Sequence, residues 1–69
     1  MKKRYIYTVE LGRDGFRCVV MNTATLKLAK ACYETKKDEL KNGTLFLSRW
    51  VDGEADNCAD LESVRLQEA

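Results

Sequence analysis

At 69 residues, with 45% apolar and 33% charged side chains, the chain has room for one small domain. A domain this short buries too little apolar surface to build a deep catalytic pocket with its own supporting shell, yet it is too apolar to be disordered. Its formal charge is only +1, it has no histidine and no proline, and no apolar run approaches the ~18 residues of a membrane helix, so the commonest general base and metal ligand, polyproline linkers and a spanning helix are excluded.

The small net charge hides an asymmetry. Residues 1–50 carry eleven Lys/Arg and five Asp/Glu, a balance of +6, whereas residues 51–69 carry one Arg and six acids, a balance of −5. Such a division points to a basic working surface beside an acidic segment, or to two halves that neutralise each other across the fold. Met1-Lys2-Lys3-Arg4 is basic but leads into alternating sequence, not an apolar signal core, so a cytoplasmic protein is expected. Cys18, Cys32 and Cys58 are odd in number, widely spaced and without histidine, which argues against a zinc site and for reduced thiols. Cys18 and Cys32 read as small buried hydrophobes, and Cys58, in a polar stretch, as the exposed thiol.

Arg4 to Leu11 alternates with strand period two, with Tyr5, Tyr7, Val9 and Leu11 on one side. Gly12-Arg13-Asp14-Gly15 is turn chemistry, and Phe16 to Met21 is a second β-rich run, so the two form a hairpin. A helix is predicted over residues 25–40, with Thr25 capping its first turn. Leu26, Leu28, Ala29, Cys32 and Tyr33 make a broad apolar face, and Lys27, Lys30, Lys37 and Lys41 lie in a stripe opposite. Lys36 falls within the apolar face, where its stem must snorkel outward or the helix must loosen. Asn42-Gly43 stops the helix.

Thr44 to Val51 is a third strand, with Leu45, Leu47, Arg49 and Val51 on one parity and Phe46, Ser48 and Trp50 on the other. Asp52-Gly53 is a turn, Asp52 to Asp60 an acidic loop, and Leu61 to Gln67 a further strand, with a short helix as the close alternative. The expected fold class is α+β: a two-layer sandwich in which one helix covers a three- or four-stranded antiparallel sheet, β-β-α-β with a fourth strand.

One helix covers only one face of such a sheet. If Leu45 and Leu47 face the helix, Phe46 and Trp50 face outward, joined by Arg17, Val19 and Ile6; one register step reverses every assignment and puts Trp50 in the core. Outward aromatics beside arginines suit protein hot spots and equally the stacking of unpaired bases. The lysine stripe suits phosphates, an acidic protein groove or simple solvation. No phosphate-cradling glycine motif, zinc-finger spacing or RNA-binding aromatic motif occurs, and the paired carboxylates have no pocket to hold them, so no enzyme activity, cofactor or metal is expected.

The opening Met1-Lys2 followed by Tyr5-Ile6, the helix start Ala24-Thr25-Leu26-Lys27-Leu28-Ala29-Lys30, Gly43-Thr44 and Asp52-Gly53 resemble, in order and spacing, small phage-encoded anti-CRISPR inhibitors of type I systems with a β-β-α-β-β order. The acidic C-terminal segment departs from the basic, aromatic ending of such inhibitors. The resemblance implies a non-enzymatic protein, acting in the cytoplasm of a bacterial host, that docks on a CRISPR effector complex and blocks target-DNA hybridisation; Lys30 matches a basic helix position. The expected partner is therefore a protein or ribonucleoprotein complex, engaged through Trp50, Phe46 and Arg49 of the third strand with Lys27, Lys30 and Lys37 of the helix. A nucleic-acid module on the same basic surface is the alternative, and a homodimer through the open sheet face or an edge strand is a third reading.

Overall fold

The computed structural model describes residues 4–69, without the side chains of residues 55 and 56; the basic start at Lys2 and Lys3 lies outside the described residues. Four strands, β1 (Tyr5–Arg13), β2 (Phe16–Thr23), β3 (Thr44–Val51) and β4 (Glu54–Arg65), and one helix, α1 (Leu26–Glu39), follow in the order β1-β2-α1-β3-β4. The sheet is antiparallel throughout, in the spatial order β2-β1-β3-β4, so the helical crossover carries the chain past β1 and sets β3 on its far side. This is the expected α+β architecture with the fourth strand present.

The turn joining β1 to β2 is shorter than Gly12-to-Gly15. Only Asp14 (φ 52°) and Gly15 (φ 82°) leave the ladder, a two-residue Asp-Gly reversal whose positive φ values match the twist of the flanking strands. Gly12 stays in β1 for a packing reason: a Cβ there would sit 2.9 Å from Phe46 Cε2, because the aromatic ring lies on the glycine.

Helix α1 forms from good helix formers and buries Ala29 and Tyr33, one turn apart, against the sheet. Thr25 occupies the N-cap position but makes no side-chain cap; its own N–H donates to Thr23 Oγ1 at 3.2 Å. The helix is regular through Lys36, whose half-exposed stem reaches out to Glu39 at 3.0 Å. Asn42 (φ 61°) and Gly43 (φ 119°) then reverse the chain, and any side chain on Gly43 would collide with the carbonyl of Gly12. Arg13 clamps this corner, donating to the carbonyls of Asn42 (2.6 Å) and Lys41. The C-terminal tail closes over it: Asn42 N–H donates to Gln67 O at 2.9 Å and Leu66 N–H to Gly43 O at 2.8 Å.

The acidic loop expected over Asp52–Asp60 is not a loop. Only Asp52 and Gly53 turn; β4 begins at Glu54 and runs to Arg65, which also settles residues 61–65 as strand. Its carboxylates are compatible with a strand because β4 is an edge, where charge on the outer row discourages further pairing. Two register shifts against β3, at Leu47/Ser48 and Trp50/Val51, let its excess length ride along the shorter neighbour.

The core lies between sheet and helix: Val9, Leu45 and Leu47 are fully buried with Ala29, Tyr33 and Leu66. Tyr7, Leu11, Met21, Cys32, Leu40 and Val64 pack around them. Cys32 is half-buried, as its place on the apolar helix face implies, but Cys18 is exposed, not buried. The reason is the strand order: Cys18 opposes Leu11 and so shares the helix side of the sheet, but on an edge strand that α1 covers only in part, so that Met21 packs on the core while Cys18, nearer the hairpin, stays exposed.

Candidate binding face

Among the described residues the face of the sheet turned away from α1 carries no second layer, yet three of its polar residues are buried: Thr8 (7% exposed), Glu10 (5%) and Ser48 (0%). Their cover comes from side chains lying flat on the sheet. With Leu45 and Leu47 turned to the helix, period two turns Phe46, Ser48 and Trp50 to the open side. The ladders set these beside Thr8 and Glu10 of β1, and beside Cys58 and Asp60 of β4. A bulge in β2 opposite Val9/Glu10 brings Arg17 and Val19 to the same face.

Arg17 is the centre of this surface. Its guanidinium stacks on the Phe46 ring, 3.8 Å from the centroid. Its Nε lies 3.2 Å from Glu10 Oε1, and its Nη2 donates to Ser48 Oγ (3.1 Å) and Asp60 Oδ1 (3.0 Å). Ser48 donates to the same Asp60 oxygen at 2.7 Å. The chain of bonds continues across β1: Trp50 Nε1 donates to Thr8 Oγ1 at 3.0 Å, and Thr8 Oγ1 donates to Glu10 Oε2 at 2.6 Å. Among the described residues no buried side-chain nitrogen or oxygen lacks a partner. Glu10 is thus a nearly buried carboxylate held by a hydroxyl and a guanidinium, the arrangement that makes burial of charge tolerable.

The network sets the charge states. Donation by Arg17, then by Ser48, holds the Asp60 carboxyl below its ordinary range, and the same contact holds the Arg17 guanidinium protonated more firmly still. Cys58, beside Trp50 in the ladder, is pushed up, first by desolvation and then by Asp60 and Glu10; its thiol is kept protonated and is a poor nucleophile. Among the described residues there is no group of three potential metal-ligating side chains.

Two concavities flank the network. Beside Trp50, Ile6, Thr8, Val19 and the Val51–Glu54 turn line a mostly apolar groove of about 460 Å³. At the hairpin end, Phe46 borders a second hollow of about 470 Å³ rimmed by Arg13, Arg17 and Arg65. One end of the face therefore offers an apolar slot with Asp52 and Glu54 at its rim; the other offers an aromatic ring among arginines.

The expected partner-binding residues do not form one site. Phe46 and Trp50 lie on the open face, joined by Arg17. Arg49 is one residue from Trp50 but points to the opposite side of the sheet, where its guanidinium stacks on Tyr5 at 4.8 Å. Lys27, Lys30 and Lys37 are on the helix, across the core from Trp50, and the stripe is partly neutralised: Lys37 pairs with Glu34 at 2.8 Å and Lys30 lies 3.9 Å from Glu62. Sequence alone does not single out Thr8, Glu10 and Ser48, because polar residues on the outer parity of a strand read as solvated, or Asp60, because it falls in a run that reads as an acidic loop. The one available signal was Glu10 and Arg17, opposite charges across a hairpin. No protein-family model matches the chain, and no curated protein and no solved structure matches it either.

Proposed function

We propose that this protein is a non-enzymatic binding module that docks a protein or ribonucleoprotein partner on the open face of its sheet and inhibits by occupying the partner's nucleic-acid-engaging surface. The observation that carries this reading is the pre-set surface of Trp50, Arg17 and Phe46, fixed by the Glu10–Ser48–Asp60 network beside an apolar groove. Tryptophan and arginine dominate interface hot spots, and side chains already locked in place lose little entropy on docking. A patch of about 800 Å² per partner is enough for a stable complex and fits a domain of this size. The resemblance to anti-CRISPR inhibitors puts a type I CRISPR effector complex, in the cytoplasm of a bacterial host, first among the partners to test.

Nucleic acid is the second reading, favoured by Phe46 lying among Arg13, Arg17 and Arg65. Against it, Glu10 and Asp60 already compensate Arg17 on that face, and the helix lysines lie on the other layer. Purified, nuclease-treated type I effector complex and, separately, labelled single-stranded and duplex DNA distinguish the two. The wild-type protein should bind the effector and block target hybridisation, with at least a tenfold loss for Trp50→Ala and for Arg65→Glu, each verified as folded by circular dichroism. Binding only to DNA, falling steeply with salt, moves the function to the second reading. Folded open-face variants that bind the effector like wild type would remove the open face from the proposal.

A further inference from the structure

The two edges of the sheet are unlike. β4 carries Glu54, Asp56, Asp60 and Glu62 in its sequence and breaks register with β3 twice. β2 carries no acid and no lysine, and its only charge is Arg17. That charge is compensated within the same chain by Glu10 and Asp60. Large exposed apolar side chains collect here: Phe16 (76% exposed), Val19 (56%) and Val20 (38%), with the exposed thiol of Cys18 between them. The helix extends the same patch. At ~100° per residue Leu28 lies on the flank opposite Lys30. Lys30 reaches Glu62 on β4, so Leu28, 55% exposed, is turned toward the β2 side.

We propose that two copies of the chain pair through their β2 edges, in antiparallel register, to form a two-fold dimer with one continuous sheet. Natural edge strands are ordinarily blunted by charge or irregularity; β4 carries four acids and two register breaks, whereas β2 carries a single bulge and leaves Phe16–Val19 regular. The occupant is a second copy because the edge is self-complementary: apolar groups meet apolar groups, and each Arg17 arrives already neutralised by its own chain. Head-to-tail pairing of β2 with β4 would build an open filament, and the acids and register breaks of β4 oppose it. The bulge that leaves Val20 without a partner in β1 confines regular pairing to Phe16–Val19. A two-fold axis normal to the sheet keeps both helices on one side and brings the Leu28 flanks toward each other. Both open faces remain uncovered, so the dimer stands or falls independently of the proposed docking function.

Any two-fold register that pairs at least three residues of Phe16–Val19 sets the Cys18 Cα atoms of the two copies within about 10 Å, given strands ~4.8 Å apart and a rise of ~3.4 Å per residue. Sedimentation velocity of the full chain over a hundredfold concentration range should show the mass rising toward twice the monomer. Association should be weak, as for interfaces below about 1,200 Å². A short bis-maleimide should cross-link a variant with Cys18 alone (Cys32→Ala, Cys58→Ser) and fail on one with Cys58 alone. Val19→Lys, at an exposed position, should weaken association at least tenfold, with a melting curve unchanged at concentrations where the wild type is monomeric, and Asn57→Lys on β4 should not weaken it. A monomer at every concentration would overturn the proposal. So would a dimer that Val19→Lys leaves intact, or cross-linking through Cys58 instead of Cys18.

Discussion

On one side of the sheet Leu47 is fully buried beneath a helix; on the other, its neighbour Ser48 is equally buried beneath an arginine and the ring stacked on it. The helix side excludes water with aliphatic and aromatic groups from a separate layer, held by non-directional burial. The open side reaches comparable burial within a single layer. Its cover is Arg17, Phe46 and Trp50 lying along the strands, pinned by directional bonds to Glu10, Ser48, Asp60 and Thr8. A sheet with one helix can therefore dry part of its uncovered face, provided every polar group there is satisfied. The outer surface of that cover is aromatic and basic, and it is the surface on which the proposed docking rests.

The largest expected effect is on the helix side. Leu47→Ala should cost about 3 kcal/mol of unfolding free energy, from lost burial and the cavity left under Ala29 and Tyr33, with no dependence on pH or salt. On the open side Arg17→Met should cost about 2 kcal/mol, below the usual range for orphaning a buried charge because the arginine itself is partly exposed. Adding Glu10→Gln should restore much of that loss; urea titrations of the single and double variants measure it, and an additive result would show that the two residues are uncoupled. Thr8→Val removes the acceptor of the Trp50 indole and a donor to Glu10 together, for about 1 kcal/mol. Since Trp50 is the only tryptophan, its emission should shift in the folded protein, and an unchanged spectrum would mean that the indole is not held there.

The smallest effect sharpens the contrast through pH. Asp60 has its folded-state pKa lowered by Arg17 and Ser48. Its contribution is thus fully present above the unfolded value of about 3.9 and is lost as pH falls through the lower folded value. Asp60→Asn should flatten the acid limb of stability below about pH 4 and leave the neutral region with a small, pH-independent loss. An acid limb with the same slope as wild type would place that titration elsewhere.

Much of this arrangement was legible in the sequence. The alternation through Arg4–Leu11 and Thr44–Val51 and the helical spacing of Ala29 and Tyr33 are local signals, and those elements lie where they put them; the reversal expected over Gly12–Gly15 narrows to Asp14-Gly15 because β1 runs on to Arg13. The parity of Phe46 against Leu47 announced two faces. The contents of the open face were far less legible. Glu10, Thr8 and Ser48 look like solvated positions until Arg17, brought over from the neighbouring strand, covers them. Asp60 sits in a run so acidic that it reads as loop, and becomes strand only because β3 offers it a ladder. Arg49 beside Trp50 in sequence suggested a shared surface, yet adjacent strand residues point to opposite sides.

The sequence by itself determined where the first three strands and the helix run and which of their side chains share a face. Those properties depend on backbone sterics and on periodicity over a few residues. Only the tertiary structure decided that β3 lies beside β1 and that β2 and β4 are the edges. With that order came the exposure of Cys18, the meeting of Arg17 with Asp60, and an open face held by charge instead of a second layer. These are contacts between residues tens of positions apart, and pattern within one strand carries no information about which strand will lie next to it.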